Sequence, residues 1–335
     1  MNQINFFNNV FFDEDIKKEN SEIYKKKSYE KNFLIFYHIK FIEKFLNELS
    51  ILLGKKFNDY FFYIYTNNKN ELPKSITINH PKKILILISN EMKYIPFDLE
   101  KYFFCIFKSS LPYEIRKSKI FPFPLNTISN LYLKKIIPIK KRKFDIFFCG
   151  NLNKYRLDLY HALSSNAKIF SKISNKLFYT FLVGLGFKKR FVQRNMSVGV
   201  NGKNFIKFTI GLNGEGDGLP YDEYLRLLND SKVALCPTGY MSTETFRHYE
   251  AIKSGCVIIS NKLPDTYIFR KAPFVKINNW KEGLMKAEKL IMNTERLEDL
   301  QRKSILYHKT NLSEKFMAEY VLKKIRILEN IKNYY

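Results

Sequence analysis

STETFRHYEAIKSGCVIIS, residues 242–260, changes character along its length. It opens polar, becomes a helical stretch with a charged face, and closes as a short apolar strand behind Gly255. Ser242 or Thr243 suits the N-cap of that helix, because a side-chain oxygen there accepts a backbone N–H the helix leaves free. Arg247 and Glu250 follow at i and i+3, on one helical face. Free N–H groups at a helix start, together with the helix dipole, make a site for phosphate. The guanidinium of Arg247 adds a fork suited to pyrophosphate oxygens, and Glu250 can accept hydrogen bonds from a ribose diol. A capped helix whose Arg247 and Glu250 form an ordinary ion pair is the alternative these residues leave open.

Working outward, the apolar run KVALCP delivers the chain into TGYMSTE, a loop carrying Gly239. Further upstream come strand FDIFFCG, helix NKYRLDLYHALSS, strands AKIFSKI and NFIKFTI, turn GLNGEGDGLP and helix YDEYLRLLNDS. Downstream the chain reads as three helices: WKEGLMKAEKLIM, ERLEDLQRKSILYH and SEKFMAEYVLKKIRILENI. The first third shows the same alternation. INFFNNVFF opens as a strand, FLIFYHIKFIEKFLNELSILLG has helical spacing ending at Gly54, and DYFFYIYT, KKILILIS, KYFFCIF and KIFPFPL read as strands. Continuous apolar runs of this length suit parallel sheets covered on both faces. The expected fold class is α/β, two Rossmann-like doubly wound domains facing across a cleft. The expected domains are 1–140 and 141–312, with 313–335 a helix packing back across them.

A length of 335 residues accommodates two cores, and 45% hydrophobic with 16% aromatic content excludes a disordered chain. Lys and Arg number 57 against 32 Asp and Glu, a net charge of +25. That field favours anionic partners: nucleic acid, acidic lipid headgroups or phosphorylated substrates. An AT-rich genome, which inflates Lys, Asn and Ile, accounts for it as well. Cys105, Cys149, Cys236 and Cys256 lie in apolar runs without C-x-x-C spacing, as buried free thiols do. MNQINFFNNVFFDED lacks the basic start of a signal peptide. KILILIS and FYTFLVGLGF fall short of the ~20 residues of a membrane-spanning helix, so a soluble or membrane-surface protein is expected.

Several weaker signals are set aside. Asp13, Glu14 and Asp15 form a D-x-D triplet without Rossmann context, and surface charge explains it. His38, His80, His161, His248 and His308 have no metal-ligand spacing, so no metal or cofactor is expected. His248, beside Arg247, reads as a structural histidine. GEGDG and VGLGF match neither a dinucleotide fingerprint nor a P-loop.

Residues 219–260, LPYDEYLRLLNDSKVALCPTGYMSTETFRHYEAIKSGCVIIS, resemble the nucleotide-binding half of exostosin-like glycosyltransferases. The matching positions are Pro237, Gly239, Ser242, Arg247, Glu250, Ala251, Gly255 and Cys256. APFVKINNW and KRKFDIFFCGNLNKYR also fit, so the resemblance covers residues 141–295. It implies the two-domain glycosyltransferase fold termed GT-B, with 1–140 on the acceptor side and 141–312 binding a nucleotide-sugar. It further implies that Arg247 binds the donor diphosphate and Glu250 the ribose. Gly150, Asn151, Arg156, Gly239, Tyr240, Ser242 and Thr243 would border the donor. Retaining enzymes of this fold often carry a second glutamate eight positions earlier, where Ser242 stands; Glu244 is out of phase and reads as a helix cap.

ISNEMKYIPFDLEKYFFCIFKSSLP followed by KIFPFPL is similar to the acceptor half of bacterial fucosyltransferases, and implies Glu91 as general base. The nucleotide motif of those enzymes is absent at ALCPTGY, which favours the exostosin-like resemblance. The expected activity is therefore sugar transfer from a nucleotide-sugar to a hydroxyl of a glycan or lipid-linked acceptor, in surface polysaccharide or lipopolysaccharide biosynthesis. It is expected to be inverting and metal-independent. The expected location is cytoplasmic, peripheral on the inner membrane face through KKIIPIKKRK and FKKRFVQR. The alternatives are a fucosyltransferase-like enzyme of the same fold, or a non-enzymatic basic protein that binds nucleic acid or anionic membrane. Scattered basic residues without a basic–aromatic recognition motif argue against the last.

Overall fold

The computed structural model describes residues 9–12, 33–65, 82–88, 94–125, 135–151, 153–166, 204–209, 219–239 and 242–332. In chain order the first elements are β1 (Val10–Phe12), α1 (Phe33–Leu53), β2 (Phe61–Tyr65), β3 (Lys83–Leu87), β4 (Cys105–Lys108) and β5 (Ile120–Pro122). There follow β6 (Phe144–Asn151), α2 (Leu157–Asn166), β7 (Asn204–Thr209), α3 (Tyr221–Asn229), β8 (Ser231–Cys236), α4 (Phe246–Lys253) and β9 (Val257–Asn261). The last are α5 (Tyr267–Arg270), β10 (Val275–Ile277), α6 (Trp280–Ile291), α7 (Thr294–Tyr307) and α8 (Glu314–Lys332). The expected strand AKIFSKI, the segment 178–200, most of the glycine-rich turn and the Asp13–Asp15 triplet lie outside the described residues.

The fold is α/β, and the chain divides into two Rossmann-like units. One comprises Met1–Asn130, Pro264–Lys271 and His308–Tyr335; the other comprises Leu131–Leu263 and Ala272–Tyr307. The first holds a parallel sheet in the order β1-β2-β3-β4-β5. Apart from Lys83 at the start of β3 and Lys108 at the end of β4, its strands are apolar, as strands covered on both faces are. Phe41, Ile42, Phe45 and Leu49 of α1 join Met317, Ala318, Val321 and Ile325 of α8 over one face, against Phe62, Ile64, Ile84 and Ile86. Gly54 closes α1 in the left-handed conformation, φ 55°, which favours glycine.

The second unit holds a parallel sheet in the order β10-β9-β8-β6-β7. Side chains alternate across it. Ile146, Phe148, Val233, Leu235, Val257 and Ile259 face α2, α6 and α7. Phe147 points the other way, edge-on to Tyr224 of α3 with ring centroids 5.3 Å apart. The chain runs outward from β6 to β7, then returns past β6 to β8 and continues to β10. The winding direction therefore reverses between β6 and β8. Parallel sheets of this order leave a ligand crevice at the carboxyl ends of the strands flanking such a reversal.

All four cysteines are buried free thiols. Among the described residues, no helix is long and apolar enough to cross a membrane.

Candidate functional site

The carboxyl ends of β6 and β8 carry most of the residues the sequence singled out. Beyond β6, the Asn153 side chain accepts a hydrogen bond from the Tyr155 backbone N–H at 2.9 Å, opening the turn that leads into α2. This turn places Arg156, which is buried, across the crevice floor. Its Nη1 donates to the Asn151 carbonyl at 2.6 Å and its Nε to the Thr238 carbonyl at 3.1 Å, so one side chain ties the end of β6 to the end of β8.

Arg247 arrives from the first turn of α4 and is also buried. Its Nη2 donates to the Cys149 carbonyl, and the guanidinium carbon lies 4.8 Å from the Phe148 ring centroid. Its Nε has no hydrogen-bond partner among the described residues. Both guanidiniums converge on Gly150. A Cβ there would lie 2.5 Å from Arg247 Nη2 and 3.2 Å from Arg156 Nη1, so only glycine leaves room for this approach. Gly239 is likewise confined, its N–H donating to the Ser242 carbonyl at 2.8 Å.

The helix start differs from the sequence expectation. Neither Ser242 nor Thr243 is the N-cap; Thr245 is, in extended conformation, φ −139° and ψ 157°. Its backbone N–H donates to Nδ1 of His248 at 3.2 Å, and Nε2 of that ring lies 2.8 Å from Ser260 Oγ, which donates to the Asn261 carbonyl. Nδ1 also lies 3.2 Å from the Thr245 carbonyl, so the ring nitrogen sits between the backbone donor and the backbone acceptor of one residue. Burial pushes the His248 pKa down to about 3, so the ring is neutral and structural. Threonine followed by histidine at the third helical position departs from the Ser/Thr-x-x-Glu/Gln pattern, which is why the cap was missed. Ser242 Oγ instead accepts from the Glu244 N–H at 3.1 Å, and the Glu244 carboxylate accepts the Tyr249 hydroxyl rather than capping α4.

Glu250 faces away from Arg247 in hydrogen bonding, and the ion pair left open as the alternative reading does not form. Its Oε1 accepts the Tyr221 hydroxyl at 3.0 Å and its Oε2 the Tyr224 hydroxyl at 2.8 Å. Burial raises the Glu250 pKa, while the Tyr224 hydroxyl, Arg247 and the Tyr221 hydroxyl oppose the rise. Burial and the neighbouring carboxylate raise the Tyr224 pKa, keeping it a donor. The two tyrosine rings stack with centroids 5.9 Å apart. Neither was singled out from sequence, although their i,i+3 spacing puts both on one face of α3. Glu91 and Tyr240 lie outside the described residues.

Strand reversal, two guanidiniums meeting at a glycine and the positive end of a helix together define an α/β protein with a basic crevice suited to a phosphorylated ligand. No protein-family model matches the sequence, and no curated protein matches it. Among solved structures the chain is similar to a glycosyltransferase from Rickettsia africae ESF-5, with TM-score 0.48 and 12% identity over 95% of this chain and 89% of that one. It is similar to TarM, with TM-score 0.47 and 12% identity over 84% of this chain, and it spans 58% of the TarM chain. It is also similar to the DNA-modifying enzyme beta-glucosyltransferase, with TM-score 0.38 and 15% identity over 83% and 78% of the two chains. At these scores the fold is read from strand order, not from the likeness.

Proposed function

We propose that this chain is a glycosyltransferase whose second unit binds the diphosphate of a nucleotide-sugar at the carboxyl ends of β6 and β8. The observation that carries the reading is Arg247: buried, held by one backbone carbonyl, with Nε unpartnered. A buried donor without a partner is costly, and an anionic oxygen placed there removes the cost. In this reading the guanidiniums and the N-terminus of α4 stabilise the charge that builds on the departing nucleoside diphosphate, a role metal ions fill at other sites. The acceptor is a hydroxyl of a glycan or a lipid-linked sugar, its proton taken by a carboxylate; Glu91 is the candidate for an inverting transfer. The exostosin-like motif and the basic character of the chain support surface polysaccharide or lipopolysaccharide synthesis at the cytoplasmic face of a membrane.

The test is a thermal-shift panel of UDP, GDP, CDP and their sugars, on the native chain, Arg247→Ala and Gly150→Ala. At saturating nucleotide one diphosphate raises the Tm of the native chain by a few degrees, a stabilisation of about 3 kcal/mol at a hundredfold excess over Kd. Both variants lose that rise. Stabilisation that persists in Arg247→Ala removes this residue from the site, and stabilisation by none of the panel removes the donor reading.

A further inference from the structure

Glu250 is the carboxylate that the donor reading would aim at a ribose, yet both of its oxygens already accept a tyrosine hydroxyl. The two hydroxyls that occupy it are not equivalent. Tyr224 is buried within α3 and packs on Phe147, whereas Tyr221 is the first residue of that helix and is only partly buried. In a parallel α/β unit the helix following a strand starts at the strand's carboxyl end, so Tyr221 stands at the same edge as Arg247 and Gly150. A carboxylate receiving two hydroxyl hydrogens is also the arrangement a vicinal diol would make with it.

We propose that Tyr221 is a placeholder: its hydroxyl satisfies Glu250 until a ribose hydroxyl displaces it when a nucleotide binds. Tyr224 keeps the second oxygen throughout and holds the carboxylate in place. Tyr221 is thus a positioning residue that protects a buried charge from desolvation without a partner and sets the cost of admitting a ribose. This inference rests on the donor reading of the same crevice. A diol from a transferred sugar offers the same chemistry, so the test separates the two sources.

Calorimetric titration of UDP and GDP, each with its 2′,3′-dideoxy counterpart, into the native chain, Tyr221→Phe and Glu250→Gln reads it directly. The native chain binds the ribonucleotide more tightly than the dideoxy form. Tyr221→Phe tightens the ribonucleotide about fivefold, the factor set by one hydrogen bond of ordinary net strength, because nothing must be displaced. It leaves the dideoxy form unchanged, since that ligand never displaces the hydroxyl. Glu250→Gln narrows the ribose preference, which keeps the idea testable should the phenylalanine variant misfold. An equal effect of Tyr221→Phe on both forms, or no discrimination between them by the native chain, overturns the placeholder while leaving the donor site standing. If the native chain binds neither diphosphate, the donor reading falls, and this inference with it.

Discussion

Helix α4 has a buried arginine at each end, and the two are treated in opposite ways. At its C-terminus Arg142, from the residues entering β6, donates Nη1 to the Ser231 carbonyl at 2.6 Å, Nη2 to the Ser254 carbonyl at 2.5 Å and Nε to the Ile137 carbonyl at 2.9 Å. Every nitrogen is engaged, and the positive charge meets the negative end of the helix dipole. At the N-terminus Arg247 meets the positive end of the same dipole, keeps a single carbonyl and leaves Nε idle. The first is how a guanidinium looks when it holds a fold together. The second is destabilising as it stands, and an anion would relieve both its defects at once. The difference teaches that burial alone does not separate structural from functional arginines; the tally of satisfied donors and the sign of the local dipole do.

The comparison breaks first at Arg142. Replacing it by methionine takes the charged donor from the buried Ser231 and Ser254 carbonyls, while the Ile137 carbonyl keeps Gln301 Nε2, a loss of roughly 3 kcal/mol read as a drop in the urea midpoint. The extra Tm that a bound nucleotide adds stays as in the native chain. A change in that increment would mean the two ends of α4 are not independent, and would undo the assignment of Arg142 to the fold alone.

This contrast also marks how far the sequence could be read. Strand and helix alternation was plain because parallel strands buried on both faces carry continuous apolar runs, such as ILIL in β3 and IFFC in β6. Arg247 and Gly150 were legible because a glycine at a strand end and an arginine in a helix's first turn are local patterns. The reversal between β6 and β8 was not, since strand order is decided by long-range pairing that no local period records. The partners of Glu250 were hidden for the same reason: Tyr224 and Tyr221 are 26 and 29 residues away in sequence. Arg142 looked like one more charge in a basic run, and only the fold shows three carbonyls around it.

A smaller effect sharpens the comparison by pH. The folded pKa of His248 is about 3 against an ordinary 6.5, so between those values the unfolded chain takes up a proton that the folded chain refuses. The contribution is complete above about pH 6.5 and is lost as pH falls toward 3, at roughly 1.4 kcal/mol per unit. Going from pH 7 to pH 5 therefore costs about 2 kcal/mol through this residue. Glutamine in its place accepts the same Thr245 N–H without titrating, so His248→Gln flattens that part of the stability profile. An unchanged slope between pH 5 and 7 in the variant would show that His248 does not stay neutral in the folded state.

The smallest effect concerns where α4 begins, which fixes the direction Arg247 takes. With Thr245 as the N-cap, Thr245→Ala costs about 1 kcal/mol, and Ser242→Ala, whose hydroxyl accepts one N–H within the loop, costs less. The order matters more than the sizes. A helix capped at Ser242 would start a turn earlier and carry Arg247 in its second turn, away from the first free N–H groups. Chemical denaturation of the two variants distinguishes the starts, and a larger loss from Ser242→Ala would move the helix origin, separating the Arg247 guanidinium from the dipole it opposes.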